Sequence, residues 1–232
     1  MVLAERLVNG FFRFCFRIFF RLNLDVLNSV RTEGPLLIIT NHPSIFEGPM
    51  LYVFLQPRPL IGLAKRELFL RKTSGWLMKL WQAIPVDVHG LSKESMDRVF
   101  QEVDKSSFLV IAPEGVRTNE GTLRRGKPGV AYIAYRKQVP VLPITTVGFE
   151  GFWKNLKRLR RTTVSITVGN PFEFFGHTGR LTPALRQEMT DEMMLRLAPL
   201  LPEQARGVYR DWDYSWRYTR ETEVRQHHAQ MS

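Results

Sequence analysis

Three short runs, 36–40, 108–112 and 141–146, are apolar throughout apart from threonine and one proline. Successive side chains of a strand point to opposite sheet faces, so strands of this kind need cover on both. The segments between them carry helical patterns. Residues 47–55 read as a helix closed by Pro57 and Pro59, and 67–81 as one or two helices with Gly75 between them. Residues 92–105 read as an amphipathic helix with Met96, Val99, Phe100 and Val103 inward. Residues 128–137 read as a helix with Pro128 in its first turn, where proline is tolerated. Further strands are expected at 60–64, 83–88 and 163–168. Alternating strands and helices predict a single α/β domain, a mixed, mostly parallel sheet covered by helices. On this reading the chain divides into an amphipathic N-terminal helix over 1–28, a main domain over 29–200, and a helical, polar extension over 201–232.

The N-terminal segment is dense in phenylalanine from Phe11 to Phe20 and interrupted by Arg6, Arg13, Arg17 and Arg21. At about 100° per residue the four arginines fall within roughly an 80° arc of one helix face. A spanning helix would place Arg13 and Arg17 near mid-membrane, at about 2.5–3.5 kcal/mol each. A helix lying in the headgroup plane avoids that cost and gains attraction to anionic lipid. Glu5 and the arginines also break the pattern of a secretory signal. The chain is therefore expected at the cytoplasmic face of a cell membrane, peripheral or monotopic. The competing reading is a terminal helix packed on the domain with a solvated arginine edge.

Charge narrows the partners. Lys plus Arg number 33 against 22 Asp plus Glu, a formal net charge of +11. Such an excess calls for an anionic partner: nucleic acid, an anionic membrane or a phosphorylated substrate. The basic run 154–161 has the composition of a nucleic-acid contact, but Phe152 and Trp153 beside it suit a lipid headgroup surface, and no nucleic-acid motif is present. No nucleic-acid partner is expected. A second aromatic–basic segment, with Tyr209, Trp212, Tyr214, Trp216 and Tyr218, is another candidate surface contact. The single cysteine, Cys15, rules out an internal disulfide framework and a Cys-based zinc cluster.

Two clusters carry chemistry. His42 follows the first apolar strand and stands five residues before Glu47 at a helix start. An imidazole serves as a general base near neutral pH, and a carboxylate on its second nitrogen fixes the tautomer and stabilises the imidazolium. A lone His and Glu at this spacing also arise by chance. The second cluster, Pro113-Glu114-Gly115-Val116-Arg117, follows another apolar strand, where α/β sheets carry ligand sites. Gly115 permits a tight turn, and Arg117 offers a planar fork for phosphate or carboxylate; a polar turn with a solvated arginine is the plain alternative. A metal hydrolase built on His42, Glu47 and Asp87 would want a His-x-x-x-His or His-Glu-x-x-His pair, which the chain does not have.

Five segments occur in order: His42 to Glu47, Lys65-Arg66-Glu67-Leu68, Ile84-Pro85-Val86-Asp87, Pro113 to Arg117, and Val139-Pro140-Val141-Leu142-Pro143-Ile144. Together with Gly126-Lys127-Pro128-Gly129 and Val168-Gly169-Asn170-Pro171-Phe172, this series resembles the glycerophospholipid acyltransferase family over about residues 30–175. The resemblance implies an acyl-CoA or acyl carrier protein donor and a lysophospholipid acceptor such as 1-acylglycerol-3-phosphate. It also implies no metal, no cofactor and direct transfer. It gives His42 the role of base with Glu47 as its partner. Lys65, Glu114, Gly115 and Arg117 form the implied acceptor-binding set. The chain departs from the family twice. Glu47 stands where the acid is usually aspartate, and Val88 stands where an arginine often contacts phosphate. His89, Arg66 or Arg124 are the candidates to replace that arginine. These departures keep two alternatives open: an acceptor without phosphate, such as a glycolipid, and a non-catalytic lipid-binding relative.

Overall fold

The computed structural model describes residues 3–30, 34–87, 91–105, 107–118, 121–176, 179–213 and 215–222. The three apolar runs form β2 (Leu36–Thr40), β5 (Phe108–Ile111) and β6 (Val141–Val147) at the centre of one sheet. The other strands are β1 (Phe20–Leu22), β3 (Leu60–Lys65), β4 (Ile84–Val86), β7 (Thr162–Val168), β8 (Phe172–Phe174) and β9 (Thr219–Glu221). Their order is β1-β7-β6-β2-β5-β3-β4, with β8 pairing β6 and β9. β2 runs parallel to both β5 and β6, and β3 parallel to β4 and β5. The β6–β7, β6–β8 and β8–β9 pairs are antiparallel. The sheet is thus mixed and mostly parallel, as expected.

Helices cover both faces: α1 (Leu3–Phe19), α2 (Glu47–Phe54), α3 (Arg66–Leu70), α4 (Lys72–Leu80), α5 (Lys93–Asp104), α6 (Gly129–Lys137), α7 (Phe152–Lys157) and α8 (Pro183–Leu197). The two-residue period of the strands explains why the central runs are apolar at every position. Leu37, Ile39, Leu109 and Ile111 pack with Val99 and Val103 of α5, Ala131 of α6 and Met193 of α8. Leu36, Ile38, Phe108 and Val110 pack on the other face with Phe16 of α1 and Met50 and Leu51 of α2. Ser92 caps α5, its hydroxyl accepting the Ser95 N–H at 3.1 Å.

Four local expectations are corrected. The helix expected over 1–28 ends at Phe19. The next three residues form β1, parallel to β7, and residues 24–29 form a 3-10 turn. The reason is tertiary. The Arg161 guanidinium takes the carbonyls of Arg17 and Phe20, and the Phe20 ring is buried against Phe152. The break in the 67–81 segment falls at Arg71, not at Gly75. Gly75 lies inside α4, and a Cβ there would stand 2.4 Å from the Phe69 carbonyl oxygen; glycine permits the close approach of α4 to α3. The short strands β1, β8 and β9 have no counterpart in the sequence reading. The strand expected over 83–88 covers Ile84–Val86; Val88 and His89 lie outside the described residues.

The stretch after Leu200 is tied to the same core. Tyr209 is fully buried, its hydroxyl donating to Asp191 Oδ1 and accepting the Gly126 N–H, both at 3.0 Å. Gly207 (φ +52°) lets the chain pass where a Cβ would meet the Leu123 carbonyl at 2.0 Å. These contacts brace the loop that leads from Arg117 into α6. Of the aromatic–basic segment, Tyr214 lies outside the described residues.

Helix α1 packs on the domain with one face and exposes an apolar stripe on the other. Its inner face packs on the domain: Phe16 is buried, Asn9 accepts the Trp81 indole N–H at 3.0 Å, and Arg13 donates to the Val53 carbonyl at 2.7 Å. Its outer face leaves Leu3, Leu7, Phe11, Phe14 and Ile18 exposed, five positions that fall on one side of a helix. Among the described residues no helix is long and apolar enough to cross a membrane.

Candidate active site

The parallel strands β2, β5 and β3 bring the sequence clusters to one edge of the sheet, at the carboxyl ends where α/β folds bind ligands. Asn41 fixes the exit from β2. Its side chain donates to the Thr146 carbonyl and accepts the Thr146 N–H, both at 2.9 Å, extending the β2–β6 pairing by one residue. The chain then turns through Pro43 and enters α2 at Glu47.

This turn folds Glu47 back onto His42. The His42 Nδ1 and Glu47 Oε1 are hydrogen-bonded, with Glu47 buried and the imidazole about one-third exposed. An imidazole that donates from Nδ1 to a carboxylate presents Nε2 as its acceptor. Glu47 is the first residue of α2, where the helix dipole favours an anion. Its other oxygen, Oε2, accepts the Ser44 hydroxyl at 2.8 Å and the Ser44 N–H at 3.2 Å. The longer acid is accommodated by the turn: Glu47 reaches the ring from the helix start.

Glu114 has a different neighbourhood from the other candidates. It is buried, and its two oxygens accept backbone N–H groups, Oε1 from His42 at 3.1 Å and Oε2 from Arg124 at 2.9 Å. Burial raises its pKa above the ordinary value, opposed in smaller measure by those two hydrogen bonds. The Thr118 N–H returns to the His42 carbonyl at 3.0 Å. The loop 113–118 is therefore stitched to the His42 turn from both sides.

Gly115 has φ +67°, and a Cβ there would stand 2.9–3.1 Å from Cδ, Cε and Nζ of Lys127. Lys127, held by its own N–H to the Pro113 carbonyl at 2.8 Å, thus lays its side chain across the loop. Arg117, two residues on, is exposed. Lys65 is exposed at the end of β3, three residues past Gly62, which pairs with Val110 of β5. The edge therefore carries Lys65 at the end of β3, Arg117 after β5 and Lys127 before α6. Of the candidates to replace the arginine missing at 88, Arg66 is engaged in a two-pronged pair with Asp87, at 2.5 and 3.2 Å. Arg124 is exposed next to the backbone that Glu114 holds.

Sequence reasoning did not single out Ser44 or the Lys127 side chain. Ser44 had a signal: Ser-x-x-Glu is the pattern of a helix capping box. Lys127 had only its place before the Pro128-Gly129 helix start.

An imidazole paired with a buried carboxylate, on a turn bonded to the loop that carries Gly115, can take a proton from a hydroxyl. Comparison with known proteins gives the family. The chain belongs to the Acyltransferase family, whose model matches residues 21–147, more than half of its length. It is 29% identical over 182 residues to human 1-acyl-sn-glycerol-3-phosphate acyltransferase beta, covering 76% of this chain and 65% of that one. It is 26% identical over 148 residues to the 1-acyl-sn-glycerol-3-phosphate acyltransferase of Limnanthes alba, covering 62% of this chain and 52% of the relative. The chain thus spans about half to two thirds of the length of these relatives. The crystal structure of the 1-acyl-sn-glycerophosphate (LPA) acyltransferase PlsC from Thermotoga maritima matches with a TM-score of 0.56 at 18% identity, covering 82% of this chain and 76% of that one. That likeness is one of fold.

Proposed function

We propose that this protein moves a fatty acyl group from a thioester, acyl-CoA or acyl carrier protein, to the free hydroxyl of a lysophospholipid at a membrane surface. The acceptor we favour is 1-acylglycerol-3-phosphate, which would give phosphatidic acid. The observation that carries this reading is the His42–Glu47 pair, half-buried at the ring and buried at the acid. The acceptor hydroxyl gives its proton to Nε2 as its oxygen attacks the thioester carbonyl. Glu47 stabilises the imidazolium that forms. Collapse of the tetrahedral intermediate releases the thiolate, which takes the proton from His42, so the ring is restored and no acyl-enzyme is needed.

Arg117, Lys127 and Lys65 are the proposed phosphate contacts, and Gly115 allows Lys127 to lie close to the loop. Arginine suits this task because its planar fork matches two phosphate oxygens. Glu114 serves the site by holding the His42 and Arg124 backbones rather than by meeting the acceptor. The names of the similar human and plant enzymes support the phosphate-bearing acceptor.

The outer face of α1 is the proposed membrane contact. Its exposed stripe ends beside Phe19, which meets Phe152, and Phe152 meets the exposed Trp153. The exposed basic residues Lys154, Lys157, Arg158 and Arg160 follow directly. Apolar side chains rimmed by cations suit the surface of an anionic bilayer, each cation adding about 1 kcal/mol. The cytoplasmic face is the proposed side, because its anionic lipid gives that leaflet a negative surface potential.

The test offers purified protein labelled acyl-CoA and acyl carrier protein with a panel of lysolipids, with and without a phosphate monoester. Transfer to 1-acylglycerol-3-phosphate is expected. Transfer only to phosphate-free lysolipids or glycolipids would replace the acceptor; no transfer to any would point to a lipid-binding relative.

A further inference from the structure

We propose that Ser44 is a positioning residue for the His42–Glu47 pair, fixing the carboxylate so that its other oxygen holds the imidazole. Glutamate has one more rotatable bond than aspartate, so an acid of this length needs a second hold to present one oxygen in one place. Ser44 supplies it. Glu47 Oε1 meets His42 Nδ1, while Oε2 accepts both the Ser44 hydroxyl and the Ser44 N–H.

The direction of the hydroxyl is fixed as well. The Phe46 N–H donates to Ser44 Oγ at 2.9 Å, which uses an acceptor position and directs the hydroxyl proton to Glu47 at 2.8 Å. Phe46 itself is set by rings from two other segments. It lies 4.7 Å from Phe152, 5.3 Å from Phe20 and 5.9 Å from Phe149, centroid to centroid. Glu47 is 1% exposed, so water has little access to replace a lost serine hydroxyl. The chain of contacts runs from a packed aromatic cluster, through Phe46 and Ser44, to the acid and then to the base.

The competing reading is that Ser44 and Glu47 are only a helix-start capping pair. A cap would change stability and leave the histidine alone. Two variants separate the readings, Ser44→Ala and Ser44→Thr, the second keeping the hydroxyl. The first readout is the low-field proton on His42 Nδ1, followed by NMR in protein labelled at histidine nitrogen. It needs no substrate. The second is steady-state kinetics with labelled acyl-CoA and 1-acylglycerol-3-phosphate; this arm rests on the acyl-transfer reading, and His42→Ala is its control.

The expected result is a His42 Nδ1 proton in the wild type that is lost or broadened in Ser44→Ala and restored in Ser44→Thr. With it, kcat should fall roughly 10- to 100-fold in Ser44→Ala, as for a misplaced catalytic group, while acceptor KM stays within about twofold. An unchanged proton signal in Ser44→Ala overturns the proposal. So does a lowered Tm with unchanged signal and kcat, which is the behaviour of a cap alone. A wild type with no turnover on any acceptor overturns the acyl-transfer reading instead, and the NMR arm then decides Ser44 by itself.

Discussion

Glu114 accepts the backbone N–H of His42 at 3.1 Å across 72 positions of sequence, and with its other oxygen it accepts the N–H of Arg124. One buried carboxylate therefore joins the turn that carries His42 to the loop beyond the glycine turn. An amide cannot do this, because one of its two heads is a donor. Glu114→Gln should leave one backbone N–H facing an NH₂ group and destabilise the fold by about 1–3 kcal/mol. Urea denaturation of the two proteins measures it. Equal midpoints would mean that the brace carries no stability.

The same group sets a pH dependence. Burial holds the Glu114 pKa above the 4.5 of a free side chain. The folded state then binds a proton more tightly than the unfolded state does. Its contribution is fully present below the unfolded value and is lost as pH rises through the raised folded value. The stability of wild type relative to Glu114→Gln should therefore decline as pH rises from about 4.5 through that window and level off above it. Denaturation midpoints of both proteins at a series of pH values check the slope; a wild-type advantage that grows over this window contradicts the assignment.

Arg117 bears on the acceptor. With no arginine at 88, Arg117 and Lys127 are the proposed contacts for a phosphate-bearing acceptor. Arg117→Lys should lower kcat/KM for a phosphate-bearing acceptor by about 1.5–3 kcal/mol, the range for a hydrogen bond to a charged group, and leave donor KM nearly unchanged. Parallel kinetics on an unphosphorylated acceptor supply the control. Equal losses on both would remove Arg117 as a phosphate contact.

The two faces of α1 should respond differently. Replacing the exposed Leu7, Phe11 and Phe14 together by serine should release the protein from anionic vesicles in flotation and leave its Tm nearly unaltered. Replacing the buried Phe16 by alanine should instead destabilise the fold by about 3–5 kcal/mol. Vesicle binding that survives the triple serine variant would move the membrane contact elsewhere.

The parts of this molecule that declare themselves in sequence are those set by local pattern. The central strands were legible because apolar runs bounded by turns leave one solution, cover on both faces. The His42–Glu47 pairing was legible for a similar reason: the imidazole, the turn and the helix start lie within one short segment. The three-residue strands β1, β8 and β9 were not, because nothing in Phe20–Leu22 or Thr219–Glu221 differs from a helix end or a polar tail until a distant partner pairs with it. Glu114 stood in the acceptor-binding set that the resemblance implies, and nothing in its turn announced that it is buried. Its role depends on two N–H groups brought to it by the sheet. The approach of Lys127 to Gly115 likewise follows from a brace supplied by Tyr209 and Gly207, far along the chain.

The central claim is that His42 is the base of an acyl transfer. The most direct measurement is single-turnover transfer from labelled acyl-CoA to 1-acylglycerol-3-phosphate by wild type and His42→Ala, both shown to be folded by their thermal transitions. Loss of a positioned general base should slow the transfer step by at least about 100-fold with acceptor binding retained. A folded His42→Ala protein that keeps more than half of the wild-type rate would contradict the account.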